Sequence, residues 1–306
     1  MTVFGPTGIS PEDVELHAAF AGIELPVESF DLGGGLVLSQ SFAHIMGHYV
    51  VATREHDGRL PWHPGPWKGA QGGLAVDVRS QLHVPLGCER TNISRLGTIW
   101  WIASLLRLRN SYLVRVPFVS DTPFKDIPSS SNDPTFWTIE TAVVQLSPTK
   151  KRRTEILIED LEWVRRVWRG SAVLLDDGKF NRAFQLIDQI HWAGSVWPAI
   201  PMIWAALESI FSSSSHELRY RLSANLASYL APRGAERTSK AKKIRNLYDR
   251  RSSIVHGARP PKVDDLVSSY EIARSAFIKM IEECAVPTDD LFEAQLFGEQ
   301  LSGEIE

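Results

Sequence analysis

The sequence predicts an α+β fold, with a mixed α/β N-terminal domain (residues 1–150), an all-α helical bundle (151–286) and an acidic C-terminal tail (287–306). Glycine, proline and short apolar runs dominate the first half, which is typical of strands joined by turns. After a basic stretch at residues 150–153, apolar residues recur with the period of amphipathic helices. A chain of 306 residues has room for two ordinary domains.

The N-terminal half contains strand signals and one helix signal. Strands are predicted at residues 36–38, 111–119 and 136–146. The glycines at 33–35 predict a turn into the first of these strands, and the polar segment 121–134 predicts a loop between the other two. Apolar residues at helical spacing predict a helix over residues 92–109, with Thr91 and Asn92 as candidate caps.

The C-terminal half predicts six amphipathic helices that pack as a bundle. Their apolar stripes cover residues 161–175, 180–190, 197–211, 218–229, 244–255 and 266–284. Pro198 and Pro201 are compatible with the third helix only in its first turn. The tail after Val286 is weakly patterned and is expected to be frayed or disordered.

Composition excludes several classes of protein. The two cysteines, Cys88 and Cys284, are too few for a disulfide framework or a cysteine zinc site. No uncharged apolar stretch approaches the ~20 residues that span a bilayer. His44 and His48 have the spacing of a helical zinc motif, but Ile45 stands where that motif has glutamate. We therefore expect a soluble cytoplasmic protein with no metal, no cofactor and no membrane partner.

The fifth predicted helix carries the candidate chemistry. On a projection of about 100° per residue, Arg251 falls among the apolar residues of its stripe. A cation in that position needs an anionic partner or a phosphate, because an unpaired buried charge is costly. His256 points away from Arg251, in the last turn before Gly257, where a helix C-terminus favours imidazolium. Either long side-chain reach or a second subunit is needed to bring the two together.

The run LYDRRSSIVHG at residues 247–257 resembles the signature helix of HEPN domains, specifically the ApeA-like branch. That signature has an arginine, a neighbouring polar residue, and a histidine after four to six intervening residues. Arg251, Ser252 and His256 match with four intervening residues, and Arg250 matches with five. Residues 207–211 and the helix at 218–230 also look like that branch. The resemblance covers residues 155–285, and it implies a HEPN helical bundle.

Many HEPN domains are metal-independent endoribonucleases or RNA-binding modules, often homodimers joined through their signature helices. The resemblance implies that Arg251 holds a phosphate, that His256 acts as general acid or base, and that Ser252 orients either group. It also implies attack of the RNA 2′-hydroxyl on the adjacent phosphorus. Because ApeA-like domains occur in prokaryotic conflict systems, an antiviral defence or toxin-like role is expected. The N-terminal half is then expected to sense a trigger or a regulatory partner.

Local charge agrees with an RNA partner. Residues 216–256 carry ten Lys/Arg against three acids, a local charge of +7 in a chain of net charge −3. The predicted RNA-binding residues are Arg250, Arg245, Lys242 and Lys243, and the predicted structural partners of the site are Glu208 and Tyr248. An ion pair with Glu208 is the alternative role for Arg251, and simple C-capping is the alternative for His256. The alternative function is a catalytically silent HEPN module that binds RNA, a nucleotide or a protein partner.

Overall fold

The computed structural model describes residues 10–59, 63, 65–88, 93–142, 146–149, 153–212 and 217–297. Within these residues it contains one antiparallel sheet of six strands and eight α-helices, which confirms the predicted α+β class. The strands are β1 Leu16–Phe20, β2 Ser29–Gly33, β3 Leu36–Ala52, β4 Trp67–Val84, β5 Phe118–Ser120 and β6 Phe136–Thr138. The helices are α1 Arg95–Asn110, α2 Ile158–Ser171, α3 Gly178–Gln189, α4 Val196–Phe211, α5 Leu218–Leu230, α6 Ala235–Val255, α7 Val263–Glu283 and α8 Asp289–Phe297.

The sheet has the order β2-β3-β4-β1-β5-β6. The predicted turn is confirmed, because Gly34 and Gly35 join β2 to β3 with φ values of 65° and 84°. Positive φ at both central residues is the geometry of a tight hairpin turn, and glycine adopts it without strain. The strand after that turn is much longer than predicted. The predicted strand over residues 111–119 is wrong in extent, since only Phe118–Ser120 joins the sheet ladder.

β3 and β4 extend beyond their neighbours as a two-stranded arm, residues 43–52 and 67–78. Among the described residues, β2 pairs with β3 only as far as Ser39, and β1 pairs with β4 only from Ser80 onward. The arm and its base therefore expose several large apolar side chains, between 48% and 65% of their area: Phe42, Met46, Tyr49, Val50, Val51 and Trp67. Within the arm, Gly73 lies so close to Gly47 that a Cβ at Gly73 would overlap the Gly47 carbonyl oxygen.

The six predicted bundle helices are confirmed as helices and correspond to α2–α7. Helix α1 begins at Arg95, where the Ser94 hydroxyl accepts from the Gly97 N–H at 3.1 Å; the predicted caps at 91 and 92 lie outside the described residues. The expectation of a frayed tail is wrong as far as residue 297. α8 forms there because Phe292 is buried against Phe211, with ring centroids 5.6 Å apart. Pro201 lies inside α4, beyond its first turn.

One hydrophobic core runs across the predicted boundary at residue 150. Trp101 of α1 packs on Phe184 of α3, and its indole N–H donates to the Trp168 carbonyl at 3.0 Å. The Trp168 indole in turn donates to the carbonyl of Leu32, at 2.8 Å, so helix α2 is tied to the sheet. None of the helices in the described part of the chain has the length and apolar character needed to cross a membrane.

A buried charge cluster lies within this core. The guanidinium of Arg107, 1% exposed, donates to Glu140 at 2.8 Å and to Asp188 at 3.1 Å. Its Nε donates to the Val114 carbonyl at 2.9 Å, and the group lies 4.4 Å from the ring of Trp192. Burial acts to lower the pKa of Arg107, but the charges of Asp188 and Glu140 outweigh it and raise that pKa. Arginine at this position is therefore permanently charged and joins both halves of the chain.

Candidate functional site

Helix α6 carries the signature residues and packs against α4, α5 and α7. Ile244, Leu247, Tyr248 and Ile254 are buried, as the helical projection predicts. Val255 was expected in the same stripe, but 48% of it is exposed. This expectation is wrong because the last turn of α6 projects from the bundle, and residues 255–258 are all exposed. The end of the signature helix is thus open to solvent.

Arg251 lies at the edge of the packed face of α6. Its Nη2 is 3.2 Å from Oε1 of Glu208 on α4, and the two side chains are 22% and 23% exposed. Its guanidinium carbon is 5.5 Å from the ring centroid of Tyr248, and its Nε is buried without a hydrogen-bond partner among the described residues. The structure therefore brings Arg251 together with both of its predicted partners, while part of the guanidinium stays accessible.

Tyr248 contacts both members of this ion pair. Burial raises the pKa of Tyr248 to about 12, the charge of Glu208 and a hydrogen bond to it act in the same direction, and Arg251 opposes them. The Tyr248 ring also packs edge-on against Trp204, with centroids 5.4 Å apart. The phenol therefore remains protonated at neutral pH and helps to hold the Glu208 carboxylate in place.

His256 is placed apart from Arg251. It is the C-cap of α6, and its backbone N–H donates to the Ser252 carbonyl at 3.1 Å. Its imidazole is exposed, and within the described chain no hydrogen bond, ion pair or ring contact joins it to Arg251. Ser252 is half-buried, and no hydrogen bond of its hydroxyl occurs among the described residues. A single protomer therefore does not assemble the three predicted catalytic residues into one site.

The turn that carries His256 is braced by a carboxylate that the sequence did not single out. Gly257 follows in the left-handed region, with φ 72°, and Asp265 lies in the first turn of α7 with 3% of its side chain exposed. Arg250 donates to Asp265 at 2.8 Å, and Arg259 donates to its other oxygen. One acid thus connects the residue before the signature arginine to the loop beyond the histidine. The only sequence signal was an acidic first turn in α7, which usually indicates a helix-dipole partner.

The remaining predicted RNA-binding residues differ in availability. Lys242 and Lys243 are exposed and, with Arg250 and Ser268, line a groove of about 360 Å³ between α6 and α7. The Arg245 guanidinium lies 5.9 Å from the ring centroid of Tyr220. Several other cations of the basic stretch already have acceptors: Arg219 with Asp249, Arg233 with Leu296, Arg237 with Gln295, and Lys240 with Leu230. The lysine groove is therefore the best-placed free basic surface of this helix.

Comparison of the chain with protein-family models, with curated proteins and with solved structures gave no match. The interpretation of this site therefore depends on the residues of α6 and on their surroundings.

Proposed function

We propose that this chain is a HEPN-type, metal-independent endoribonuclease, and that its site combines Arg251 and His256 from the two protomers of a homodimer. The observation that carries the proposal is the state of Arg251. Its guanidinium is held by one carboxylate at 3.2 Å and by a tyrosine ring, yet it is not sealed from solvent. A guanidinium has five N–H donors, so donors remain for a phosphate.

The proposed reaction needs one anion-binding group and proton transfer. The RNA 2′-hydroxyl loses its proton and attacks the adjacent phosphorus, and the bond from phosphorus to the 5′ oxygen breaks. Arg251 stabilises the charge that gathers on the phosphate oxygens. An exposed imidazole such as His256 takes the proton from the 2′-hydroxyl or supplies one to the leaving 5′ oxygen. The products are a 2′,3′-cyclic phosphate and a 5′-hydroxyl.

The proposal assigns the second half of the site to a second copy of the chain. Arg251 and His256 project from different sides of α6. In a two-fold symmetric dimer, Arg251 of each protomer can face His256 of the other. The groove with Lys242 and Lys243 lies on the same helix, which favours an RNA backbone that runs along α6. The prokaryotic defence or toxin-like setting, with a trigger at the N-terminal half, belongs to this proposal through the ApeA-like resemblance.

Cleavage of total RNA in EDTA tests the catalytic part. We expect wild-type protein to cut, and R251A and H256A to be inactive while they remain folded dimers. R219A is the matched control, because Arg219 is a half-exposed arginine on the adjacent helix that pairs with Asp249 at 2.6 Å. It should retain activity. Equal RNA decay in all four preparations contradicts the nuclease proposal.

Mixing the two inactive variants tests the composite site. If Arg251 and His256 act across the interface, a heterodimer of R251A and H256A holds one complete site and one doubly defective site. Random exchange makes about half of the dimers heterodimers, so specific activity should return to about one quarter of wild type. No recovery after verified subunit exchange contradicts a site shared between protomers.

The second candidate is a catalytically silent module that binds RNA, a nucleotide or a protein partner. The ion pair between Arg251 and Glu208 favours it, because the charge of the signature arginine is already partly neutralised. In that case the variants R251A and H256A do not alter RNA decay. Binding of single-stranded RNA, measured by fluorescence anisotropy, should then weaken in the K242E/K243E double variant but not in R219A.

A further inference from the structure

A second cluster of chemically active side chains lies on the sheet, outside the α6 site. His17 of β1 and His83 of β4 are direct register partners in the antiparallel ladder. Side chains at such positions project from the same face with their Cβ atoms about 5 Å apart. Glu15 lies two residues before His17, so the period of an extended chain places it on that face as well. The backbone alone therefore brings two imidazoles and one carboxylate together.

The side chains are close enough to share a ligand. The two imidazole centroids are 4.8 Å apart, and Nε2 of His83 is 3.3 Å from Oε2 of Glu15. One ligand atom from each of Glu15, His17 and His83 lies within 4.8 Å of the other two. Ligand atoms around a tetrahedral zinc ion are about 3.3 Å apart, given bonds of about 2.0 Å. Binding of an ion therefore requires the most widely separated ligand atoms to approach by about 1.5 Å.

The surroundings of the two imidazoles are acidic. His17 is 6% exposed, and the loop that contains Asp121 and Asp126 brings two further negative charges near it. The negative charges of Glu15, Asp121 and Asp126 around the two imidazoles favour a bound cation.

We propose that Glu15, His17 and His83 form a binding site for a divalent transition metal of the zinc type, separate from the RNA site proposed on α6. Two imidazoles and one carboxylate supply three protein ligands and leave a fourth position for water. Imidazole nitrogen selects Zn²⁺ or Co²⁺ over Mg²⁺, which prefers oxygen. With 51% of Glu15 and 30% of His83 exposed, an ion can reach the cluster from solvent.

Gln81 determines which ring nitrogen of His17 carries the proton. Its Oε1 accepts from the Phe124 N–H at 2.8 Å, so its amide nitrogen faces Nδ1 of His17 at 3.4 Å. This arrangement keeps the histidine proton on Nε2 in the metal-free chain. Metal at Nε2 requires the proton to move to Nδ1 and the long amide contact to break. A carboxylate at position 81 accepts from both groups, and such outer partners change metal affinity by about 10–100-fold.

Isothermal titration of metal-free, full-length protein with Zn²⁺ tests the site, and Co²⁺ absorption reports its ligands. We expect one equivalent of Zn²⁺ on the cluster, at least tenfold weaker binding in H17A and H83A, and tighter binding in Q81E. His83→Gln is the second variant if H17A fails to fold, because His83 lies at the surface. Excess Mg²⁺ should not compete.

His44→Ala is the matched control. His44 contacts Asp77 at 2.6 Å on the same sheet, so it is also a histidine–carboxylate pair, but among the described residues no third metal-ligating group joins it. The control should bind Zn²⁺ like wild type. The proposal is overturned if wild-type protein binds no Zn²⁺, if H44A weakens binding as much as H83A, or if H83A and H83Q leave it unchanged. RNA cleavage in EDTA is scored separately, so neither outcome depends on the nuclease proposal.

Discussion

Replacing Arg107 by methionine should be among the most destabilising single changes in this chain. The substitution keeps a long, flexible side chain in the core but removes the charge that Glu140 and Asp188 share. Glu140 is mostly buried and Asp188 is buried, with 15% and 6% of their side chains exposed, so neither can recover its full hydration in the folded state. The damage comes from the two carboxylates left behind rather than from lost packing.

The contacts set the size of the effect. Breaking a buried ion pair by removal of one partner costs about 3–5 kcal/mol. The hydrogen bond from Arg107 to the Val114 carbonyl contributes about 1 kcal/mol, and the contact with the Trp192 ring about 1–2 kcal/mol more. Methionine recovers part of this through packing. We therefore expect R107M to lower the free energy of unfolding by at least about 4 kcal/mol, out of about 5–15 kcal/mol for a typical protein.

Urea unfolding at pH 7, followed by tryptophan fluorescence, measures the loss. A triple variant that combines R107M with Glu140→Gln and Asp188→Asn should be more stable than R107M alone, because carboxamides need no counterion. Arg166→Met is the control: Arg166 is 68% exposed and 3.9 Å from Glu282, so its loss should change stability by less than about 1 kcal/mol. A loss below about 1 kcal/mol in R107M, or a triple variant no more stable than R107M, refutes this reasoning.

Three further predictions concern stability. Burial lowers the pKa of His191 to about 4, whereas its unfolded value is about 6.5, so the unfolded chain binds a proton that the native chain does not. This difference should lower the free energy of unfolding by about 3 kcal/mol between pH 6.5 and 4, and in urea titrations the total fall over that range should be smaller in His191→Gln by about the same amount. Gly73→Ala should destabilise the arm by about 1–3 kcal/mol, since the new Cβ overlaps the Gly47 carbonyl, while Gly69→Ala meets no atom within 4 Å and should be neutral in thermal unfolding. Residues 151–306 expressed alone should lack a cooperative unfolding transition because their core is shared with the first half; a sharp transition in calorimetry would show the opposite.

The sequence predicted helices better than strands, for a physical reason. A helix that packs on one side has an apolar stripe every three to four residues, and all six stripes of the second half correspond to helices. The outer part of the arm, residues 47–51 and 67–73, is exposed on both faces, so it has no alternation of buried and exposed residues to detect. Its inner part does alternate, with Val76 and Val78 buried between exposed neighbours, and the strand prediction overlooked that signal. At residues 111–117 the alternation was real, with Tyr112 and Val114 buried, but only Arg115 forms a bridge, to Ala21 just beyond the end of β1.

The site was predictable where it depended on one helix and unpredictable where it depended on pairs of elements. The projection of α6 placed Arg251 beside a buried stripe, and Glu208 and Tyr248 are its partners. It could not show that Arg250 is engaged by Asp265, since that contact joins two helices through a turn of unpredicted shape. For the same reason the pairing of His17 with His83 was invisible: 65 residues lie between them, and only the sheet register joins them.

The double contact of Asp265 has a consequence for how His256 is presented. Arg250 and Arg259 anchor the two ends of the segment that contains His256, so that segment cannot swing away unless a buried acid loses a cation. The backbone that carries this exposed imidazole is therefore already ordered before a partner binds. The entropy cost of ordering it arises during folding and not during binding. Substitutions at position 265 would therefore change the mobility of His256, although the side chain at position 265 is buried and out of reach of a binding partner.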